Sequence, residues 1–339
     1  MKCIRTEDAV GHVLCHDMTQ IIPGVSKGPR FRKGHVVTEE DIPVLLSMGK
    51  ENLFVWEMEP GMVHENDAAE RLAALCGRDN MTWSETKEGK IELKSAIEGV
   101  FLVDSARLFA VNSIDELMIA TRRGGGMVHP GDKLAGTRVI PLVIREEKLR
   151  QAEQAAGRVP LLSVRPFVKR TAAVITTGSE VAKGRIPDSF TPVVEKKLAA
   201  FGIQMTEHVL VEDGLENVLA AIEQMKSRPV DMILCTGGMS VDPDDSTPGA
   251  IKASGADIVT YGAPVLPGAM FLLGYCGDGR PIMGLPGCVM YAKATIFDLV
   301  LPRIAADVRL EKRDFVAFGE GGLCLGCESC TYPHCGFGR

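Results

Sequence analysis

From about residue 160, apolar runs of strand length alternate with amphipathic helical segments. This alternation limits what the chain can fold into more than any other feature. TAAVITTG (171–178), IQMTEHVLV (203–211), VDMILCTGG (230–238) and RPIMGLPG (280–287) read as strands. SFTPVVEKKLAAFG (189–202), LENVLAAIEQM (215–225), TPGAIKASG (247–255) and VMYAKATIFDLVLPRIAAD (289–307) read as helices. Ser189 is the expected cap of the first helix, and Ile296, Val300 and Ile304 form one stripe of the last. Such alternation predicts a largely parallel sheet with helices on both faces. Ligands of these sheets lie beyond the carboxyl ends of the strands.

Three glycine-containing loops fall at those strand ends: TTGSEVAKGRIPDS (176–189), CTGGMSVDPDDSTPG (235–249) and GLPGCVMY (284–291). Glycine there lets backbone approach a ligand, and the helix that follows each loop offers free N–H groups. Thr176, Thr177, Ser179 and Ser240 contribute hydroxyls. Glu180, Asp188, Asp242, Asp244 and Asp245 contribute carboxylates. Acid beside an anion cradle is explained if a divalent ion bridges the two, or if the carboxylates accept hydrogen bonds from a polar ring edge. The expected ligand is a phosphorylated small molecule rich in hydrogen-bonding groups. Each loop alone is equally explained as a turn that caps a helix; three in succession on one sheet weaken that explanation.

The motifs TTGSE, TGGMSVDPDD and GLPG, in this order, resemble those of the molybdopterin-binding domain. That domain is shared by molybdopterin molybdotransferases, molybdopterin adenylyltransferases and CinA-like proteins. The resemblance covers roughly residues 165–310, and GAPVLPG (262–268) and DDSTPGAI (244–251) add to it. It implies a three-layer α/β domain with a parallel sheet. It implies that Thr177, Gly178, Ser179, Glu180, Gly237, Gly238, Ser240, Pro286 and Gly287 hold the pterin and its phosphate. Asp188 and Ser189 match an Asp–Ser pair of the family, and Asp245 matches its essential acidic position near Mg²⁺. Departures occur at Asp242, where the family has glycine, and at Cys288–Val289, where it has Asn-Pro. Asp242 either adds a metal ligand or repels a phosphate. The resemblance implies a cofactor-biosynthesis protein, a molybdotransferase that uses Mg²⁺ to insert molybdate into adenylylated molybdopterin. The alternatives are a non-catalytic cofactor carrier that serves a molybdoenzyme, or a CinA-like nucleotide-cleaving enzyme.

The remainder of the 339 residues divides by texture. Residues 1–77 read as a small α/β module, with helices expected at 38–49 (capped by Thr38) and 65–77 and a strand at 51–58. Residues 78–160 read as a β-rich module of short strands that ends in a connecting helix at 145–157. The Gly124–Gly126 triplet within it is a flexible loop or an anion cradle. Residues 161–312 would be the α/β domain, and 313–339 a Cys-rich tail. Net charge is −6, with Lys and Arg scattered, which disfavours a nucleic-acid partner or a polybasic membrane anchor. No stretch approaches the ~18 apolar residues of a membrane span, and the first residues lack a signal-peptide core. A cytoplasmic location is expected, with the N-terminal part shaping a cleft or a homodimer interface.

The tail carries Cys324, Cys327, Cys330 and Cys335 as C-x2-C-x2-C-x4-C. Short spacings of this kind let successive thiolates reach one metal. Three cysteines at these intervals resemble ferredoxin ligation, without its Cys-Pro. A tetrathiolate zinc site fits the spacing as well, and His334 can stand in for one thiol. Both readings remain open, as does a redox-reactive tail.

Overall fold

The computed structural model describes residues 2–22, 26–55, 60–240, 242 and 245–338. The chain divides into two compact units. The first comprises Met1–Ala96, Val103–Arg122 and Pro130–Ser163; the second comprises Ile97–Leu102, Arg123–His129 and Val164–Arg339. The expected 77/78 boundary lies inside the first unit, and residues 313–338 lie inside the second.

In the first unit, a four-stranded antiparallel sheet has the order Met81–Trp83, Lys90–Ser95, Lys133–Val139, Leu117–Thr121. The helices Glu65–Ala74, Ser105–Asn112 and Glu146–Ala156 accompany it. Ser105–Asn112 corrects the reading of that stretch as strand: the Asp104 carboxylate accepts the Arg107 N–H at 3.0 Å and starts a helix. Near the N-terminus, Lys2–Arg5 pairs with Asn52–Val55, and Met18–Ile22 pairs with Ser26–Phe31. The expected helix at 38–49 is shorter, Asp41–Ser47, because Thr38 binds the Asp41 carboxylate through both its N–H and its hydroxyl. Leu14, Met18, Phe31, Leu45 and Leu53 form the core there. The part of the expected strand at 56–58 lies outside the described residues.

The second unit is built on a six-stranded sheet. Its strands in chain order are β1 Thr171–Thr177, β2 Gln204–Val211, β3 Met232–Thr236, β4 Asp257–Tyr261, β5 Leu272–Tyr275 and β6 Pro281–Leu285. The spatial order is β2-β1-β3-β6-β5-β4. β2, β1, β3 and β6 run parallel, while β5 and β4 continue the sheet antiparallel. The four parallel strands are those expected from sequence; the antiparallel pair is new. Helices α1 Thr191–Ala199 and α4 Ile296–Ala305 cover one face, and α2 Leu215–Lys226 and α3 Thr247–Ala253 cover the other. The three layers follow from the strand pattern. Ala172, Val174, Leu234 and Met283 point to the α1/α4 core, and Ala173, Ile175, Ile233 and Ile282 point to the α2/α3 core.

The last helix is shorter than the 289–307 pattern predicts. Gly287–Met290 forms a single 3-10 turn, and α4 begins only after Thr295. Thr295 and Asp298 make a reciprocal capping box, which fixes the helix start. The Gly124–Gly126 loop packs inside this unit. Gly125 has φ +92, and a Cβ there would lie 2.8 Å from an Arg303 guanidinium nitrogen. No helix among the described residues is long and apolar enough to cross a membrane.

Candidate functional site

The three loops meet at the carboxyl ends of β1, β3 and β6. Thr177 ends β1, and a Cβ at Gly237 would collide with the Thr177 carbonyl and lie 2.6 Å from its hydroxyl. The first and second loops therefore touch backbone to backbone. Met239 of the second loop lies on Gly284 of β6, where a Cβ would meet its sulfur at 2.5 Å. Ser189, at the end of the first loop, reaches the Met290 sulfur of the third at 3.8 Å.

Gly238 is the meeting point of the polar groups. It has φ +56, and a Cβ there would lie 2.8 Å from the Thr247 hydroxyl, 3.3 Å from the Thr177 hydroxyl and 3.7 Å from an Asp245 carboxylate oxygen. Gly237 and Gly238 are thus demanded by the backbone turn as well as by any ligand. Gly287 differs, since no heavy atom lies within 4 Å of a Cβ added there. Thr247 anchors the second loop by donating its hydroxyl to the Gly237 carbonyl at 2.9 Å. The Thr177 side chain is buried, and among the described residues its hydroxyl has no hydrogen-bond partner. Buried hydroxyls are nearly always satisfied, so this hydroxyl, facing a glycine turn, is open to pairing with an external polar group.

The acidic residues separate into distinct roles. Asp245 and Asp242 share a turn: the Asp245 N–H donates to the Asp242 carbonyl at 3.0 Å, and the Asp242 N–H donates to one Asp245 carboxylate oxygen at 3.3 Å. The other Asp245 oxygen faces Gly238, whereas Asp242 is exposed. Asp188 lies just before α1, whose N-cap position is Phe190, and its Oδ1 accepts the N–H groups of Phe190 and Thr191 at 2.8 and 3.0 Å. Ser189, the expected cap, is exposed, and Phe190 holds the cap position. Burial pushes the Asp188 carboxyl up, but hydrogen bonds from Thr191 and Phe190 outweigh it and hold the group below its ordinary value. His208 of β2 stands 3.6 Å from Asp188 and 3.1 Å from the hydroxyls of Thr176 and Thr191.

Glu180 and Ser240 are exposed and Pro286 is buried. The Ser179 N–H donates to the Asp213 carboxylate at 2.8 Å, and the Asp213 N–H donates back to the Ser179 hydroxyl at 3.4 Å. Neither Asp213 nor His208 belongs to the motifs. Both enter the site from β2 or just beyond it, so only the sheet order could have revealed them. Among the described residues no three His, Cys, Asp or Glu side chains stand together as metal ligands. Cys324 and Cys335 are half-buried against the α1/α4 core, while Cys327 and Cys330 are exposed; all four are free thiols.

Residues 173–306 match a family model described as a probable molybdopterin binding domain, and residues 3–57 match one described as a domain of unknown function. The molybdopterin molybdenumtransferase of Staphylococcus epidermidis is 31% identical over 131 residues, 37% of this chain and 31% of the relative. A CinA-like protein of Desulfosudis oleivorans is 35% identical over 80 residues, 24% of this chain and 19% of the relative. The match therefore spans less than a third of either curated relative. Among solved structures, the protein CinA of Thermoplasma acidophilum aligns with a TM-score of 0.35 at 20% identity, over 40% of this chain and 98% of that one. The molybdopterin biosynthesis enzyme MoaB of Thermus thermophilus aligns with a TM-score of 0.33 at 18% identity, over 42% and 98%. The order of the glycine motifs, their convergence beyond one sheet edge and the match over 173–306 agree, and this stretch of the chain matches the family described as a probable molybdopterin binding domain.

Proposed function

We propose that the chain works in molybdenum-cofactor biosynthesis as a molybdopterin molybdotransferase, with molybdopterin or its adenylylated form bound in the three-loop cradle. The observation that carries this reading is the buried, unpaired Thr177 hydroxyl above Gly237 and Gly238. A phosphate oxygen or a pterin ring edge would satisfy it. Gly178, Ser179, Gly237, Gly238, Ser240, Pro286 and Gly287 would line the ligand, with Glu180, Asp188 and Ser189 at the rim of the first loop. The open space over Gly287 suits a bulky group.

Asp245 suits Mg²⁺, since one carboxylate oxygen is free of its turn, and Mg²⁺ is commonly held by one or two carboxylates plus substrate phosphates. Asp242 is the second candidate ligand. Bound there, Mg²⁺ would neutralise phosphate charge and ease departure of an adenylyl group as molybdate enters. The chain's own contribution is positioning: a rigid glycine turn, fixed hydroxyls and an acid held in one orientation. A homodimer and a molybdoenzyme that receives the product belong to the same proposal. A CinA-like nucleotide-cleaving reading is supported by the CinA-like match over 80 residues. A carrier without turnover uses the same cradle.

Thr177→Val tests the cradle directly. Valine keeps the β-branch and volume but removes the hydroxyl, so stability should stay equal or rise slightly, while pterin retained by the purified protein falls at least about tenfold. Mass spectrometry of co-purifying small molecules, with urea unfolding alongside, reads both effects. Undiminished pterin in the variant overturns the assignment of Thr177. Nucleotide hydrolysis by wild type without pterin affinity favours the CinA-like reading, and pterin binding without molybdate-dependent turnover favours the carrier.

A further inference from the structure

The cysteine tail is an irregular segment that the fold holds closed. Residues 324–338 contain no helix or strand. The segment is nevertheless pinned at both ends: the Gly338 N–H donates to the Gly321 carbonyl at 2.8 Å, and the Cys324 N–H donates to the Leu266 carbonyl at 2.8 Å. Leu323 bridges Leu266, and the Leu266 N–H donates to the Gly322 carbonyl at 2.8 Å. On the far side Phe337 is buried, and the Tyr332 hydroxyl donates to the Asp298 carbonyl at 3.0 Å. The anchors hold the two ends of the loop, while its middle has neither a hydrogen-bonded ladder nor a core of its own. Ordered loops of this length without internal structure are uncommon and usually serve a purpose.

All four cysteines of the cluster fall within this loop. Gly326, between Cys324 and Cys327, takes the left-handed conformation with φ +64. The His334 N–H donates to the Thr331 carbonyl at 2.7 Å, which closes a turn between Cys330 and Cys335. Cysteine pairs at C-x2-C and C-x4-C spacing, with a glycine or a turn between them, suit chelation of one metal. Cys327 and Cys330 are exposed at the free end of the loop, where burial gives no reason for cysteine.

We propose that Cys324, Cys327, Cys330 and Cys335 bind a thiophilic metal as a tetrathiolate centre on the surface of the second unit. Ligation replaces four thiol protons by one metal and draws the exposed pair towards the half-buried pair. The pinned ends shorten the loop that ligation has to close, so little further chain entropy is lost. Zinc and an iron–sulfur cluster share this ligand chemistry, and they differ in iron, sulfide and colour. The centre is independent of the pterin cradle, and its test reads metal rather than pterin.

The full-length chain is purified anaerobically, and zinc, iron and acid-labile sulfide per chain are measured together with the visible spectrum. About one zinc per chain without colour, or iron with matching sulfide and a visible band, supports the centre and identifies its metal. The double variant Cys327→Ser/Cys330→Ser should lose that metal at least about tenfold, while Cys3→Ser, an exposed cysteine outside the tail, should retain it. Thiol titration of native wild type guards against misfolding of the variant: the tail thiols should be unreactive until a chelator or acid releases the metal. Wild type without stoichiometric zinc or iron, freely reactive tail thiols, or metal undiminished in the double variant overturns the proposal.

Discussion

At the scale of single residues, the acidic side chains around the sheet do three kinds of work that composition does not separate. Asp245 is oriented by its own turn and faces Gly238. Asp245→Asn preserves the acceptor for the Asp242 N–H, so the fold should be kept, while molybdate-dependent turnover should fall by at least about tenfold if the charge matters. Turnover at the wild-type level would reduce Asp245 to a turn residue. Asp188 accepts the N–H groups of Phe190 and Thr191, so its carboxylate is used within the fold. Asp231 ties the starts of two strands together, its Oδ2 accepting the Arg170 N–H at 2.6 Å, the Thr171 N–H at 2.9 Å and the Thr171 hydroxyl at 3.1 Å. Burial raises the Asp231 carboxyl, but these hydrogen bonds outweigh it and leave it below its ordinary value. A lowered folded-state value means that the ionised form stabilises the fold above the unfolded value near pH ~4, and that this contribution is lost as acid protonates the group. Asp231→Ala should therefore destabilise by about 1–3 kcal/mol at neutral pH and by less near pH ~3. Urea midpoints at the two pH values measure the difference, and an equal effect at both removes the charge from the explanation.

At the scale of elements, the parallel strands were legible because each is a short, nearly continuous apolar run, as strands buried on both faces must be. The antiparallel pair was not. DIVTY (257–261) and LLGY (272–275) are only five and four residues long and lie among glycine and proline turns, so neither is long enough for a periodicity to stand out. The last helix was read too long because apolar residues continue back to Val289. The Thr295–Asp298 box that starts it lay in the sequence as Thr-x-x-Asp and could have been used. The glycine loops were legible as a site, whereas Asp213 and His208 were not, since residues from β2 join the site only through the strand order. The α1 start offers a test at this scale. Asp188→Ala removes the acceptor of the N–H groups of Phe190, at the cap position, and Thr191, the first helical residue, and should cost about 1 kcal/mol. Asp188→Asn, which keeps one acceptor, should recover most of it. Thermal unfolding followed by circular dichroism ranks the three proteins; if Ala and Asn lose equally, charge rather than capping is what matters.

At the scale of the whole molecule, the chain passes between its two units more than once. Ile97–Leu102 and Arg123–His129 belong to the second unit although the residues on both sides of each belong to the first. Met127 pairs with Val100, and Val100 is fully buried in the α1/α4 core beside Phe271, Val300 and Phe337. Val100→Ala should destabilise the second unit by roughly 2 kcal/mol. Trp83 lies in the first unit, so its fluorescence, read in a Trp56→Phe background, reports that unit, and circular dichroism reports both. The variant should lower the dichroism midpoint and leave the fluorescence midpoint in place; equal shifts would mean that the two units unfold as one. The same threading bears on synthesis. Val100 leaves the ribosome two hundred positions ahead of Val300, a delay of roughly 10–40 s at 5–20 residues per second. Through that interval an apolar segment waits for a core that does not yet exist. A nascent chain of this protein is therefore expected to gain from holding chaperones, and the second unit is not a cassette that can be cut out at residue 160 and moved to another protein.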